Sequence, residues 1–232
     1  GVIYEFLCET PESWLEDTNR SNAGNPIPAA HTMARAPGAN DAVTTMFTLA
    51  KTARDHMLPH SGTWTVNETI LASGQATADN LPAQMAQIMY AIRAPSRAML
   101  DKILAVLDRT ADAAALAAHC TVKKHWVSKS RQGLANHTMA RRTFENLKRV
   151  GAPRFEEDAI KAAHAIQKEL GLTPIDRPFI DEIERLIDPE EAEKKIRAEI
   201  PAWQTHYTSD DYTDMTWYAP TVRLYIGRPA LK

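Results

Sequence analysis

Cysteine is nearly absent: Cys8 and Cys120 are the two in 232 residues. Two thiols are too few for a disulfide framework, and such scarcity points to a reducing compartment, so the expected location is cytoplasmic. An excess of either charge is missing as well. Lys and Arg total 27 against 29 Asp and Glu, a formal net charge of −2. No basic surplus exists to draw the chain onto phosphate backbones, which argues against a nucleic-acid binder. No run approaches the ~18 apolar residues of a membrane span, so no membrane partner is expected. The chain also has no GxGxxG, no P-loop, no GxSxG and no HExxH. Its 8 histidines form no Cys/His cluster with zinc spacing. His56 and His60 are four apart, but Pro59 lies between them and they read as an exposed helix end. By spacing alone, the chain encloses no complete active site.

What is present suits a globular protein. Some 44% of residues are hydrophobic and 24% charged, near the average for folded domains. A length of 232 residues allows one or two domains. Val2–Cys8 is rich in β-formers, and residues 9–40 read as a long loop with Asn, Pro, Gly and Ser concentrated in it. Asn40 is the expected N-cap of a helix running to Met57, with Val43, Met46, Phe47, Ala50, Ala53 and Met57 on one face. Thr63–Ala72 alternates, placing Trp64, Val66 and Ile70 on one side of a strand. Gln84–Arg93 is a further strand, and Ser96 can cap a helix whose period runs from Leu100 to Ala118. Cys120–Ser128 completes a β-α-β-β-α-β order, the ferredoxin-like arrangement of two helices on one face of a four-stranded antiparallel sheet. Beyond Arg131–Gly133 the spacing predicts helices over His137–Val150, Glu156–Leu170 and Asp188–Ile200, the last charged throughout, and a strand over Thr221–Ile226. A domain boundary is expected near 130: 1–130 and 131–232. The chain starts at Gly1 with a strand and ends on a strand-like stretch, which suggests part of a longer protein.

Three loop residues stand out. His31 sits in PAAHTMARAPGAN, Asn80 in the turn ATADNLP, and Arg93 at a strand end in YAIRAPS. Singly, each reads equally well as an ordinary surface residue. In combination they carry a resemblance. The segment AAH-x(6)-GANDAV followed by a helix ending RDHMLP, then SGQATADNLPAQMAQIMYAIRAPSR, then DMTWYAPT (Asp214–Thr221), is similar to the lid region of dinuclear-metal amidohydrolases and peptidases. That family includes glutamate carboxypeptidases and aminoacylases, and the similarity is greatest to its p-aminobenzoyl-glutamate hydrolase group. It runs from about Ala29 to Thr221. Gln75 and Thr77 stand where that group prefers Gly and Pro, and Asp210 and Thr213 replace an expected Thr and Gly, so the substrate can differ.

The resemblance implies an α+β fold: a lid and dimerisation domain over 1–130, then part of an α/β catalytic domain over 131–232. It implies two divalent ions, zinc or manganese, in the intact protein, with ligands outside this chain. The activity implied is hydrolysis of a C–N bond, such as the amide of an aromatic acyl amino acid, by metal-activated water. His31 matches the lid histidine that stabilises the oxyanion in the partner's site, Asn80 a substrate-binding asparagine, and Arg93 the arginine that clamps a substrate carboxylate. The implied partners are a small-molecule substrate and a second copy through the lid. Two alternatives stay open: an aminohydrolase of the nitroanthranilate type, and a non-catalytic dimerisation or interaction module.

Overall fold

A computed structural model describes residues 1–8, 38–56, 58, 64–75, 81–202, 211–224 and 231–232. They divide into two compact units, Gly1–Gln132 and Gly133–Lys232. The fold is mixed α+β. Unit 1 contains, in order, β1 (Val2–Leu7), α1 (Ala39–His56), β2 (Thr65–Gln75), β3 (Met85–Arg93), α2 (Arg97–Ala117) and β4 (Thr121–Trp126). The strands form one sheet in the order β2-β3-β1-β4, with every neighbouring pair antiparallel.

The core follows from two periodicities. Alternate residues of β1, namely Val2, Tyr4 and Phe6, are buried, and opposite them in register stand Tyr90, Ile88 and Ala86 of β3. Large faces small at Phe6–Ala86, while the Tyr4 and Tyr90 rings meet edge to face at 6.1 Å. Both helices lay apolar stripes on this face. From α1 come Ala42, Val43, Met46 and Ala50; from α2 come Ile103, Leu104, Leu107, Ala111 and Ala114. The many alanines let helix backbones lie close to the sheet. Burying each larger side chain contributes about 1.5–3 kcal/mol.

Local signals set the helix ends. Ser96 caps α2, its hydroxyl accepting from the Met99 N–H at 3.2 Å. For α1 the expected cap at Asn40 is corrected: the helix already includes Ala39 and Asn40. The Asp41 carboxylate accepts from the Gly38 N–H at 2.9 Å, and Ala39 N–H donates to Ala83 O at 2.7 Å. The reach back from Asp41, half of a capping box, moves the start toward the N-terminus. Side chains are excluded at Gly38 because an added Cβ would meet the Asn40 side chain and stand 3.1 Å from Ala83 N. The α2–β4 junction places His119 in the left-handed region, φ 50°, while Cys120 N–H donates to Ala115 O at 2.9 Å.

Three further expectations need correction. Alternation puts Ile70 with the inward residues of β2, yet it is 42% exposed. The β2–β3 register shifts between Ile70 and Ala72, and a bulged edge strand twists away from a regular ladder. No strand exists over residues 221–224, the described part of the expected last strand. The two cysteines, too few for a disulfide framework, are nevertheless joined by a disulfide across 112 residues of sequence.

Unit 2 contains α3 (His137–Val150), α4 (Glu157–Glu169) and α5 (Pro189–Glu199), with short 3-10 turns at Asp181–Glu184 and Asp211–Trp217. Asn136 and Asp188 cap α3 and α5, accepting from the N–H of Met139 and Glu190. As its composition implies, α5 buries no residue. Among the described residues, the buried apolar cluster of this unit is small: Ala163, Phe179 and Ile183, with Phe155 stacked on Phe179 at 4.2 Å.

Two stability predictions follow from unit 1. The buried Tyr4 hydroxyl donates to Asp108 at 2.6 Å, and Lys124 Nζ donates to the same carboxylate at 2.7 Å. Burial, reinforced by this carboxylate, pushes the Tyr4 pKa up. The Tyr90 hydroxyl is buried and has no hydrogen-bond partner among the described residues. Tyr4→Phe should therefore lower the unfolding free energy in urea by about 1–3 kcal/mol, while Tyr90→Phe should leave it unchanged or raise it. A loss above about 0.5 kcal/mol in Tyr90→Phe would show a partnered hydroxyl. His119→Gly should raise stability by about 1 kcal/mol, since glycine adopts positive φ without steric conflict.

Candidate functional site

Of the three residues singled out in the sequence, Arg93 lies within the described residues; His31 and Asn80 lie outside them. The anchors of both outlying segments are nonetheless defined. Gly38, seven residues after His31, is backbone to backbone with Ala83, three residues after Asn80. Cys8 N–H donates to Gln84 O at 2.9 Å, so the exit from β1 reaches the same corner. Arg93 is exposed and stands at the other end of β3, opposite Thr65. At ~3.4 Å per residue, about 27 Å separates Met85 from Arg93. The structure brings the His31 and Asn80 anchors together and sets Arg93 apart from them.

The sheet face away from the helices carries a polar cluster that sequence inspection missed. In the row across β3, β1 and β4, Glu5 stands between Gln87 and Lys123, with His125 diagonal to it. Gln87 Nε2 donates to Glu5 Oε2 at 2.5 Å, and His125 Nε2 lies 3.3 Å from Glu5 Oε1. The Gln87 hydrogen bond, aided by His125 and Lys123, holds the Glu5 carboxyl below its usual value. Ile3, Met89, Leu7 and Met85 flank the cluster in partly buried positions. The arrangement is an imidazole oriented by a carboxylate that an amide fixes in turn. The outward position of Glu5 was legible, since β1 alternates. Its partners were not, because they lie 82 and 120 residues away.

In unit 2 the DMTW stretch is pinned by Thr216. Its hydroxyl donates to Thr213 O at 2.6 Å and accepts from Leu134 N–H at 2.9 Å. An added Cβ at Gly133 would stand 3.2 Å from Thr213 Cγ2, so this contact is close. Among the described residues, no three His, Cys, Asp or Glu side chains stand together as a metal site. No described helix is long and apolar enough to cross a membrane.

No family model matches the chain, and no curated protein matches it.

A pH prediction follows from Glu5. Its folded-state value is depressed, so the ionised form favours the fold. That contribution is complete above the unfolded value and is lost as pH falls through the folded one. Glu5→Gln should be less stable than the parent at about pH 7, and the gap should close toward about pH 3. Urea unfolding across this range measures it; a gap independent of pH would assign the loss to packing.

Proposed function

We propose that the chain is the ferredoxin-like lid and part of the catalytic half of a dinuclear-metal amidohydrolase that cleaves a C–N bond in a small carboxylate-bearing substrate. One observation carries this reading. The AAH-x(6)-GANDAV, ADNLP and YAIRAPS motifs occur in family order on a β-α-β-β-α-β unit whose strands run β2-β3-β1-β4. Unit 2 adds support. Around its three buried apolar residues, Ile166, Leu170, Leu172, Met215, Trp217 and Tyr218 are exposed, a surface suited to cover by the remainder of a larger domain. The described side chains do not fit the two metal ions of the family, so the proposal places those ligands outside this chain and routes no step through them.

Within the reading, Arg93 clamps a substrate carboxylate with its planar guanidinium. His31 donates to the developing oxyanion in the partner's site, and Asn80 hydrogen-bonds the substrate. The lid pairs with a second copy. The segments bearing His31 and Asn80 share an anchor at Gly38–Ala83, whereas Arg93 lies at the far end of β3. This placement favours a lid that serves two active sites, one toward each end of its sheet.

In the full-length protein, His31→Ala should lower kcat by ~10²–10³, the cost of losing one oxyanion donor. Arg93→Ala should mainly raise KM. Mixing His31→Ala subunits with subunits inactivated at the metals should restore activity through heterodimers; a dead mixture despite subunit exchange would place His31 in its own subunit's site or none. Metal analysis tests the class itself: about two divalent ions per subunit, with hydrolysis of N-acyl amino acids, is expected. A metal-free full-length protein without hydrolytic activity would leave a dimerisation module instead.

A further inference from the structure

We propose that Cys8 and Cys120 form a reversible redox couple, a thiol–disulfide latch that fastens edge strand β4 to β1. The inference is independent of the hydrolase reading. The two residues stand one step beyond the last register pair, Leu7–Thr121, with their Cα atoms 4.9 Å apart. That separation lies within the range a disulfide spans. Neither backbone position depends on the bond. Cys8 is held by its N–H to Gln84 O and Cys120 by its N–H to Ala115 O, each at 2.9 Å. The open form is provided for as well, because Cys120 Sγ lies 3.3 Å from Ala118 O, an acceptor for the thiol proton. The bond can therefore form and break on one backbone.

The site itself selects this pairing. The chain has no other cysteine, so oxidation cannot reshuffle into another intrachain bond. Cys8 is 4% exposed whereas Cys120 is only partly buried, so an incoming disulfide meets Cys120 first. A low-molecular-weight disulfide such as oxidised glutathione is the oxidant. The Cys120 thiolate attacks it, forming a mixed disulfide and releasing one reduced glutathione. The Cys8 thiolate then attacks Cys120 Sγ, forming the intrachain bond and releasing the second. Two protein thiols are oxidised, one glutathione disulfide is reduced, and the two thiol protons pass to the released thiolates.

The consequence falls on β4. It is an edge strand, paired with β1 alone, and its residues are exposed except for Val122. Closing the bond ties the start of its ladder to the strand at the centre of the sheet. Opening it leaves β4 held by that ladder and by the Asp108–Lys124 pair. Local opening of such a strand is set by how few contacts hold it.

The full chain is equilibrated in glutathione buffers of graded ratio, quenched with N-ethylmaleimide and weighed intact, and amide exchange over residues 121–126 is followed in parallel. The mass should change in one two-thiol step, and amide exchange in β4 should be about tenfold faster in the reduced form. Cys8→Ser/Cys120→Ser should exchange at the reduced rate in every buffer. Full alkylation of both thiols after oxidised glutathione, a stable mixed disulfide at Cys120, or equal β4 exchange in both forms would each overturn the proposal. Cys120→Ser alone, which retains the buried Cys8, keeps the test decisive if the double variant is unfolded: it should take up no glutathione.

Discussion

Everything in unit 1 depends on the position of β1 between two antiparallel neighbours. Its six residues pair with β3 on one side and β4 on the other, so each peptide group on either edge is spoken for. A strand in that position cannot be wet on both faces. Val2, Tyr4 and Phe6 point into the helices and are 0–1% exposed, and both amphipathic helices pack where that row leads them. A one-residue slip would send Ile3, Glu5 and Leu7 inward and bury an ionised carboxylate without partners, which is the physical reason the register is unique.

The two faces of the sheet solve the polar problem differently. On the helix side, the Tyr4 hydroxyl reaches out of the core to Asp108, whose other partner is Lys124 at the sheet edge. The chain thereby connects a buried ring to solvent through a charge-assisted pair. Tyr90, its neighbour across the ladder, has no equivalent route among the described residues. On the open side, Glu5 is satisfied laterally by Gln87 and His125, side chains delivered by the two flanking strands. Both networks hang from β1, and each of their bonds waits on elements far apart in the chain.

The residues with the strongest functional claim have a different relation to the fold. His31 and Asn80 belong to segments rooted at the Gly38–Ala83 contact, while Arg93 belongs to a strand end. A rigid sheet with functional residues at its margins is the common division of labour between scaffold and loops. Unit 2 contrasts with this economy. Two of its helices carry side-chain caps, yet its buried apolar cluster is small and many large apolar side chains remain exposed, so its elements owe more to local sequence than to packing.

The local elements were legible before any coordinates. The 3.6-residue stripe from Leu100 to Ala118, the β-rich run at Val2–Cys8 and the helix starts at Ser96 and Asp188 all act over a few residues, where propensity and period decide the outcome. Misreadings arose where neighbours in space overrule neighbours in sequence. Ile70 turned outward at a bulge, the start of α1 moved to meet Ala83, and residues 221–224 formed no strand, because a β-rich run needs a partner edge to become one. Of the candidate site, the outward placement of Glu5 and the strand-end position of Arg93 could be read directly. The Glu5–Gln87–His125 cluster and the Cys8–Cys120 bond could not. Contacts at separations of 82 to 120 residues exist only after the strand order β2-β3-β1-β4 has been chosen, and that choice is made by burial of the whole core rather than by any segment of it.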